Sequence, residues 1–247
     1  MIPPLAFLGG HPRSGTTLLE QILDAHPAMA ALDEPTAFLE VLETGFHKTR
    51  EHSSARLNVL RKLYTEALIK ELGAGAQGKV LVDKNPSPTA RLPIRLRVFP
   101  ELRVLIALRD PRDVVLSCYF QNIPLNTVNV NFLSFERVAK HYADLMDIWL
   151  AVREWEGFAW LETRYEDTVA DMEKEGRRVT EFLGRSWHES QARFYEKSRT
   201  KQMYSPTYQD VTRPVYNRSV ARWRAYEKYL APIMPVLEPY CKEFGYE

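Results

Sequence analysis

The chain has 247 residues, 45% of them hydrophobic and 26% charged, a balance that excludes fibrous, largely disordered and membrane-embedded classes. Its 33 basic and 32 acidic residues give a net charge of +1, so no global field draws it to nucleic acid or to an anionic membrane. An anion site must be local, and 22 Arg against 11 Lys suit forked recognition of phosphate or sulfate oxygens.

The N-terminal stretch MIPPLAFLGG has no charged region and an apolar run too short for a leader or a membrane span. Within it, residues 5–8 form a near-continuous apolar run, which predicts a strand covered on both faces of a parallel sheet. The run leads into Gly9-Gly10-His11-Pro12-Arg13-Ser14-Gly15-Thr16-Thr17, and the stripe Leu18, Leu19, Ile22 and Leu23 predicts a helix directly after it. Strand, glycine loop and helix together make a phosphate cradle, because the first amides of a helix lack internal acceptors and its dipole is positive there. Gly10 and Gly15 keep the G-x-x-x-x-G spacing of a triphosphate loop, but Thr16-Thr17 stands where Lys-Ser/Thr is required. The cation is instead Arg13, inside the loop, which suits one phosphate plus a transferable anion. His11, inside the loop, could contact the bound group, and His26 reads as capping or ending the helix.

Residues 36–78 predict a helical insertion. Its final segment, 73–78, satisfies GxGxxG but follows a helix and precedes a strand, so it reads as a connecting loop. Apolar runs at 80–82, 104–108 and 158–161 predict three more strands. The run at 104–108 ends in Arg109-Asp110-Pro111-Arg112-Asp113, and Val114, Val115 and Cys118 continue as a helix. Asp110 is a good N-cap, Pro111 suits the first helical position, and Asp113 favours the first turn. Arg109 has no such local role: with Ser117 it offers a second phosphate site, or it pairs with an acid such as Asp83. Residues 132–155 predict a long helix. The polar segments 120–131 and 195–218 are candidate lids, the second carrying Tyr195, Tyr204, Tyr208 and Tyr216. The apolar stretch 229–244 packs either on the body or on a second copy, as in a homodimer. These elements predict a single domain over 1–247 in the α/β class. Its architecture is a P-loop-type three-layer fold, with four or five parallel strands flanked by helices and a lid and helices over 195–247. Cys118 and Cys241 fit no disulfide or CxxC framework and the six His show no ligand spacing. No metal and a cytoplasmic location are therefore expected.

The segments PRSGTTLLEQILDAHP and RDPRDVVLS resemble the 5′-phosphosulfate and 3′-phosphate motifs of sulfotransferases, which use 3′-phosphoadenosine-5′-phosphosulfate (PAPS) as donor. The chain looks most like the tyrosylprotein branch and the bacterial enzymes often fused to tetratricopeptide repeats, without the repeats. The resemblance implies that Arg13, Ser14, Gly15, Thr16 and Thr17 bind the 5′-phosphosulfate and that Arg109 and Ser117 bind the 3′-phosphate. It places Glu34 at the catalytic glutamate, Lys84 near the leaving oxygen, and Tyr165 and the segment 213–223, with Arg222 and Trp223, beside the nucleotide. The lysine and catalytic histidine of the cytosolic branch have no counterpart here. Asp33 is a second candidate for the base, or both acids could cap the next helix before Pro35; Lys84 could pair with Asp83, and Trp223, Tyr226 and Tyr165 could pack as core. The implied activity is sulfuryl transfer to an acceptor hydroxyl of a peptide tyrosine, sugar, lipid or metabolite, releasing adenosine 3′,5′-bisphosphate. An ATP-dependent P-loop small-molecule kinase and a non-catalytic nucleotide sensor are the competing readings.

Overall fold

Five strands, β1 (Leu5–Gly10), β2 (Met29–Asp33), β3 (Val80–Lys84), β4 (Arg103–Leu108) and β5 (Ala159–Arg164), form one sheet of order β2-β3-β1-β4-β5 in a computed structural model. All neighbouring pairs are parallel. The structure describes residues 3–47, 53–121, 125–198, 212, 215 and 218–246. Most of the predicted lid at 195–218, including Tyr204, Tyr208, Tyr216, Arg213 and Pro214, and the central part of the other, 122–124, lie outside the described residues.

Strand alternation divides the sheet into two faces. Phe7, Leu81, Val104 and Ile106 point to one side and join the larger core cluster. There they meet α2 (Ser54–Leu72), α3 (Leu92–Val98), α4 (Pro111–Tyr119), α5 (Phe135–Arg153) and the C-terminal helix Met234–Glu243. Ala6, Leu8, Val82, Leu105 and Ala107 point to the other side, against Leu19 and Leu23 of α1 (Thr16–Asp24) and Val179 of the helix Met172–Phe182. The result is the three-layer arrangement expected, with helices on both faces.

The strand β2 was not predicted. Met29-Ala30-Ala31-Leu32-Asp33 is short, holds two alanines and no β-branched residue, and so carries little strand signal of its own. It forms because all five residues are buried beside β3 and because the Asp24 side chain accepts from the Ala31 amide at 2.8 Å. The insertion follows as a π-helical turn, Phe38–Glu43, and then α2, whose Leu60, Tyr64 and Leu68 are buried. Its end is the expected loop: a Cβ on Gly73, Gly75 or Gly78 would meet nothing. The apolar C-terminal stretch packs on its own body, where Leu230, Ile233, Leu237, Tyr240, Cys241 and Phe244 join the larger core. Among the described residues no helix is long and apolar enough to cross a membrane.

Candidate active site

The sequence-predicted phosphate residues sit in the loop and helix start after β1, at the end of β4 and, for Ser117, in the helix that follows β4. The last residue of β1 and the loop after it hold three unusual backbone conformations, Gly10 at φ 125°, Arg13 at 75° and Gly15 at 91°. Left-handed geometry costs a non-glycine residue about 1–3 kcal/mol and persists only where surrounding contacts impose it. Those contacts are present. Thr89 clamps Gly10 from both sides, accepting its amide at 2.9 Å and donating to its carbonyl at 3.1 Å. A Cβ on Gly10 would collide with the Ala107 carbonyl of β4, and one on Gly15 would come within 2.7 Å of the Tyr165 ring. No side chain caps α1, so its first amides face outward beyond Gly15.

The second motif is mounted differently. Asp110 caps α4 through the Arg112 amide, at 2.9 Å, and Pro111 opens the helix, as predicted. Arg109 is nearly buried and does not pair with Asp83. Its guanidinium donates to the Arg13 carbonyl at 3.1 Å and to the Ser219 carbonyl at 2.6 Å, and it lies over the Tyr165 ring at 4.8 Å. Its buried Nε has no partner among the described residues. Ser117, two turns along α4, accepts from Arg13 Nε at 3.1 Å. Arg13, Ser117, Arg109, Gly15 and Tyr165 therefore form one contiguous cluster.

Asp83 and Lys84 are successive residues of β3 and so face opposite sides. Asp83 joins Arg95, at 3.1 Å, and the Tyr64 hydroxyl in the larger core, which removes it as a partner for either Lys84 or Arg109. Lys84, whose side chain is 0% exposed, pairs with Asp33 and with Glu34 Oε1 at 3.0 Å. Asp33 is in register with Lys84 across β2 and β3, and Glu34 takes the left-handed conformation at φ 56° while its amide donates to the Lys84 carbonyl at 2.8 Å. That reversal returns the Glu34 side chain to the same ammonium. Burial alone would lower the pKa of Lys84, but Glu34, Asp33 and Glu20 outweigh it and hold it above its ordinary value.

His11 does not face the cradle. Its ring is fully buried, with Nε2 2.8 Å from His141 Nδ1 and contacts to Phe132 and Tyr142, and it props the loop from behind. Burial, with His141 adding to it, drives its pKa down to about 3 against the Pro12 carbonyl. Trp223 is half-buried against the larger core, with the Arg112 guanidinium 3.8 Å over its ring, while Arg222 is exposed. The Trp223 amide donates to Asp113 at 2.8 Å, so Asp113 ties the C-terminal segment to α4. Thr89, His141 and this role of Asp113 were missed, because each partner lies about 80 or more residues away; an acid inside RDPRD was the one signal present. Cys118 is buried and its thiol pushed up to about 12, which leaves it inert.

Fold and site together define a parallel α/β protein whose strand–loop–helix junctions have the geometry of an anion cradle. The profile of the sulfotransferase family matches residues 4–189, and the chain belongs to that family. It is 28% identical over 204 residues to protein-tyrosine sulfotransferase 2 of Gallus gallus, covering 76% of this chain and 53% of that protein. The chain spans about half the length of the tyrosine sulfotransferases it matches. Among solved structures, the sulfotransferase domain of the Synechococcus PCC 7002 olefin synthase shares the fold with a TM-score of 0.64 and 19% identity, over 90% of this chain and 88% of that one. A mouse sulfotransferase complexed with PAP does so with a TM-score of 0.54 and 14% identity, over 95% and 84%.

Proposed function

We propose that the protein transfers a sulfuryl group from PAPS to an acceptor hydroxyl, in the cytoplasm and without a metal. The observation that carries this reading is the Lys84–Glu34 pair, 3.0 Å apart at the same sheet end as the two phosphate motifs. Binding of a nucleotide alone needs neither residue. The donor suits the groups present: the uncapped start of α1 offers backbone N–H groups, and Arg13 and Arg109 offer forked cations, one with an orphaned Nε. Arg13, Ser14, Gly15, Thr16 and Thr17 hold the 5′-phosphosulfate, Arg109 and Ser117 the 3′-phosphate, and Tyr165, Arg222 and Trp223 flank the nucleotide. The PAP bound to the mouse sulfotransferase agrees with a two-phosphate ligand.

The donor supplies a sulfuryl group on a phosphate leaving group, a transfer akin to phosphoryl transfer with a loose in-line transition state. Arg13 and Lys84 face the charge that develops on the bridging and leaving oxygens, as fixed electrostatic donors do. Glu34 takes the proton of the acceptor hydroxyl. Its side chain is 45% exposed against 4% for Asp33, which favours Glu34 as the group an incoming acceptor meets. A general base contributes about 10²- to 10⁴-fold, so Glu34→Ala lowers kcat/KM by about 3–5 kcal/mol in activation free energy.

The test is calorimetric titration with adenosine 3′,5′-bisphosphate and with ATP plus magnesium, followed by a transfer assay from PAPS. A tyrosine-containing peptide heads the acceptor panel because of the tyrosine sulfotransferase relatives, with sugar, lipid and small-molecule hydroxyls after it. Preferential binding of ATP removes the reading in favour of a kinase. Tight bisphosphate binding with no turnover on any hydroxyl leaves a sensor.

A further inference from the structure

Lys84 is a fully buried ammonium with two carboxylates against it, one sealed inside the protein and one open to solvent. The inequality matters in a reaction that uses the open one. Glu34 becomes neutral when it accepts a proton, and a buried cation that loses its only counter-ion is strongly disfavoured. With Glu34 alone beside Lys84, proton uptake would strand the ammonium or strip its charge just when the leaving oxygen needs it.

We infer that Asp33 is a positioning residue, the permanent counter-ion of Lys84, which keeps the ammonium charged and aimed while Glu34 gains and loses its proton. The inference rests on the reading of Glu34 and Lys84 given above and extends it to a residue whose side chain is sealed from solvent. Three features fit it. Asp33 and Lys84 are directly paired positions of two parallel strands, so their side chains rise from the same face of the sheet with no freedom of register. The Asp33 side chain is 4% exposed, which argues against contact with an acceptor. Glu34, one residue on, has left the strand through a left-handed turn and stands at the surface. A third carboxylate, Glu20 of α1, is buried and adds its field to Lys84. Glu20, Asp33 and Glu34 come from α1, β2 and the turn after β2, and among the described residues they are the carboxylates that act most strongly on this ammonium.

The experiment follows the Lys84 side chain by NMR in lysine-labelled protein, wild type, Asp33→Asn and Glu34→Gln, with Lys84→Met for assignment. Lys84 should stay charged in the wild type and in Glu34→Gln, and lose its proton at distinctly lower pH in Asp33→Asn. The reverse order, with Glu34→Gln the more damaging, overturns the inference. If Asp33→Asn fails to fold, the double variant Glu20→Gln with Glu34→Gln decides alone: an ammonium still charged at pH 9 supports Asp33 as the permanent partner, and a neutral amine there refutes it. This readout needs no turnover, so it stands apart from a failure of the transfer assay. Where transfer is measured, Asp33→Asn should lower kcat on the order of 10- to 100-fold, within the span of a general base. KM for the donor should be unchanged and the alkaline limb of kcat/KM should move to lower pH. An intact alkaline limb with reduced kcat would mark a merely structural residue.

Discussion

The two strand–helix junctions that flank the β1–β4 pairing begin their helices in opposite ways. After β1 the backbone passes through left-handed Arg13 and Gly15, and α1 starts with no side-chain cap. After β4 the turn is regular, Asp110 caps α4 and Pro111 opens it. An open start leaves backbone donors for a ligand, so the first junction works through its main chain. A capped start satisfies those donors internally, and the second junction instead becomes a rigid mount for two side chains, Arg109 and Ser117. The bonds from Arg109 to the Arg13 carbonyl and from Arg13 to Ser117 join the two into one site.

The contrast breaks most sharply at Gly10. Gly10→Ala forces a Cβ against β4 at positive φ, and should cost about 3 kcal/mol or more in a denaturant titration. A loss below about 1 kcal/mol would show that β4 does not fix the loop. Next comes Arg109→Ala. A ligand at 100 times its Kd stabilises by about 2.7 kcal/mol, and adenosine 3′,5′-bisphosphate should raise the unfolding temperature far more than AMP does. The variant should erase that difference; if the difference survives, Arg109 is not the second phosphate's partner.

His11 sharpens the first junction alone. Folded His11 stays neutral down to about pH 3 whereas the unfolded chain protonates near 6.5, so its stabilising effect is complete above 6.5 and fades as pH falls towards 3. His11→Phe should flatten the stability–pH slope in that window by up to about 1.4 kcal/mol per pH unit, and an unchanged slope would place the ring elsewhere. The last variant removes the cap. Asp110→Ala should cost about 1 kcal/mol for the cap and roughly 2 kcal/mol more because it strands the buried Arg112 guanidinium that Asp110 holds at 2.8 Å, yet leave the preference for bisphosphate over AMP in place. Loss of that preference would mean that the second junction also binds through its backbone.

Much of this was legible in local sequence. The apolar runs marked β1, β3, β4 and β5, and Gly10, Arg13, Asp110 and Arg109 each carried a signal within a few residues. What was hidden depends on partners far along the chain. β2 is a strand because β3 lies beside it, and with β2 unseen the pairing of Asp33 with Lys84 had no basis. His11 looked like a ligand contact because His141, 130 residues away, is what turns it inward. Lys84 and Arg109 both had Asp83 as a plausible partner until Arg95 and Tyr64 took that carboxylate to the opposite face.

The central position of β1 has a consequence for how the protein is born. Leu5 pairs with Leu81 and Ala6 with Arg103, so neither edge of β1 is satisfied until those later strands have been synthesised. Such distant pairings slow folding, because the intervening loop entropy is lost before any contact rewards it. The loop at Gly10 also takes its clamp from Thr89 and its limit from Ala107, both delivered by the same later stretch. A nascent chain ending before that stretch therefore has the whole glycine loop in sequence and no cradle in space. The exposed apolar strand that it leads from becomes a natural target for chaperones during translation.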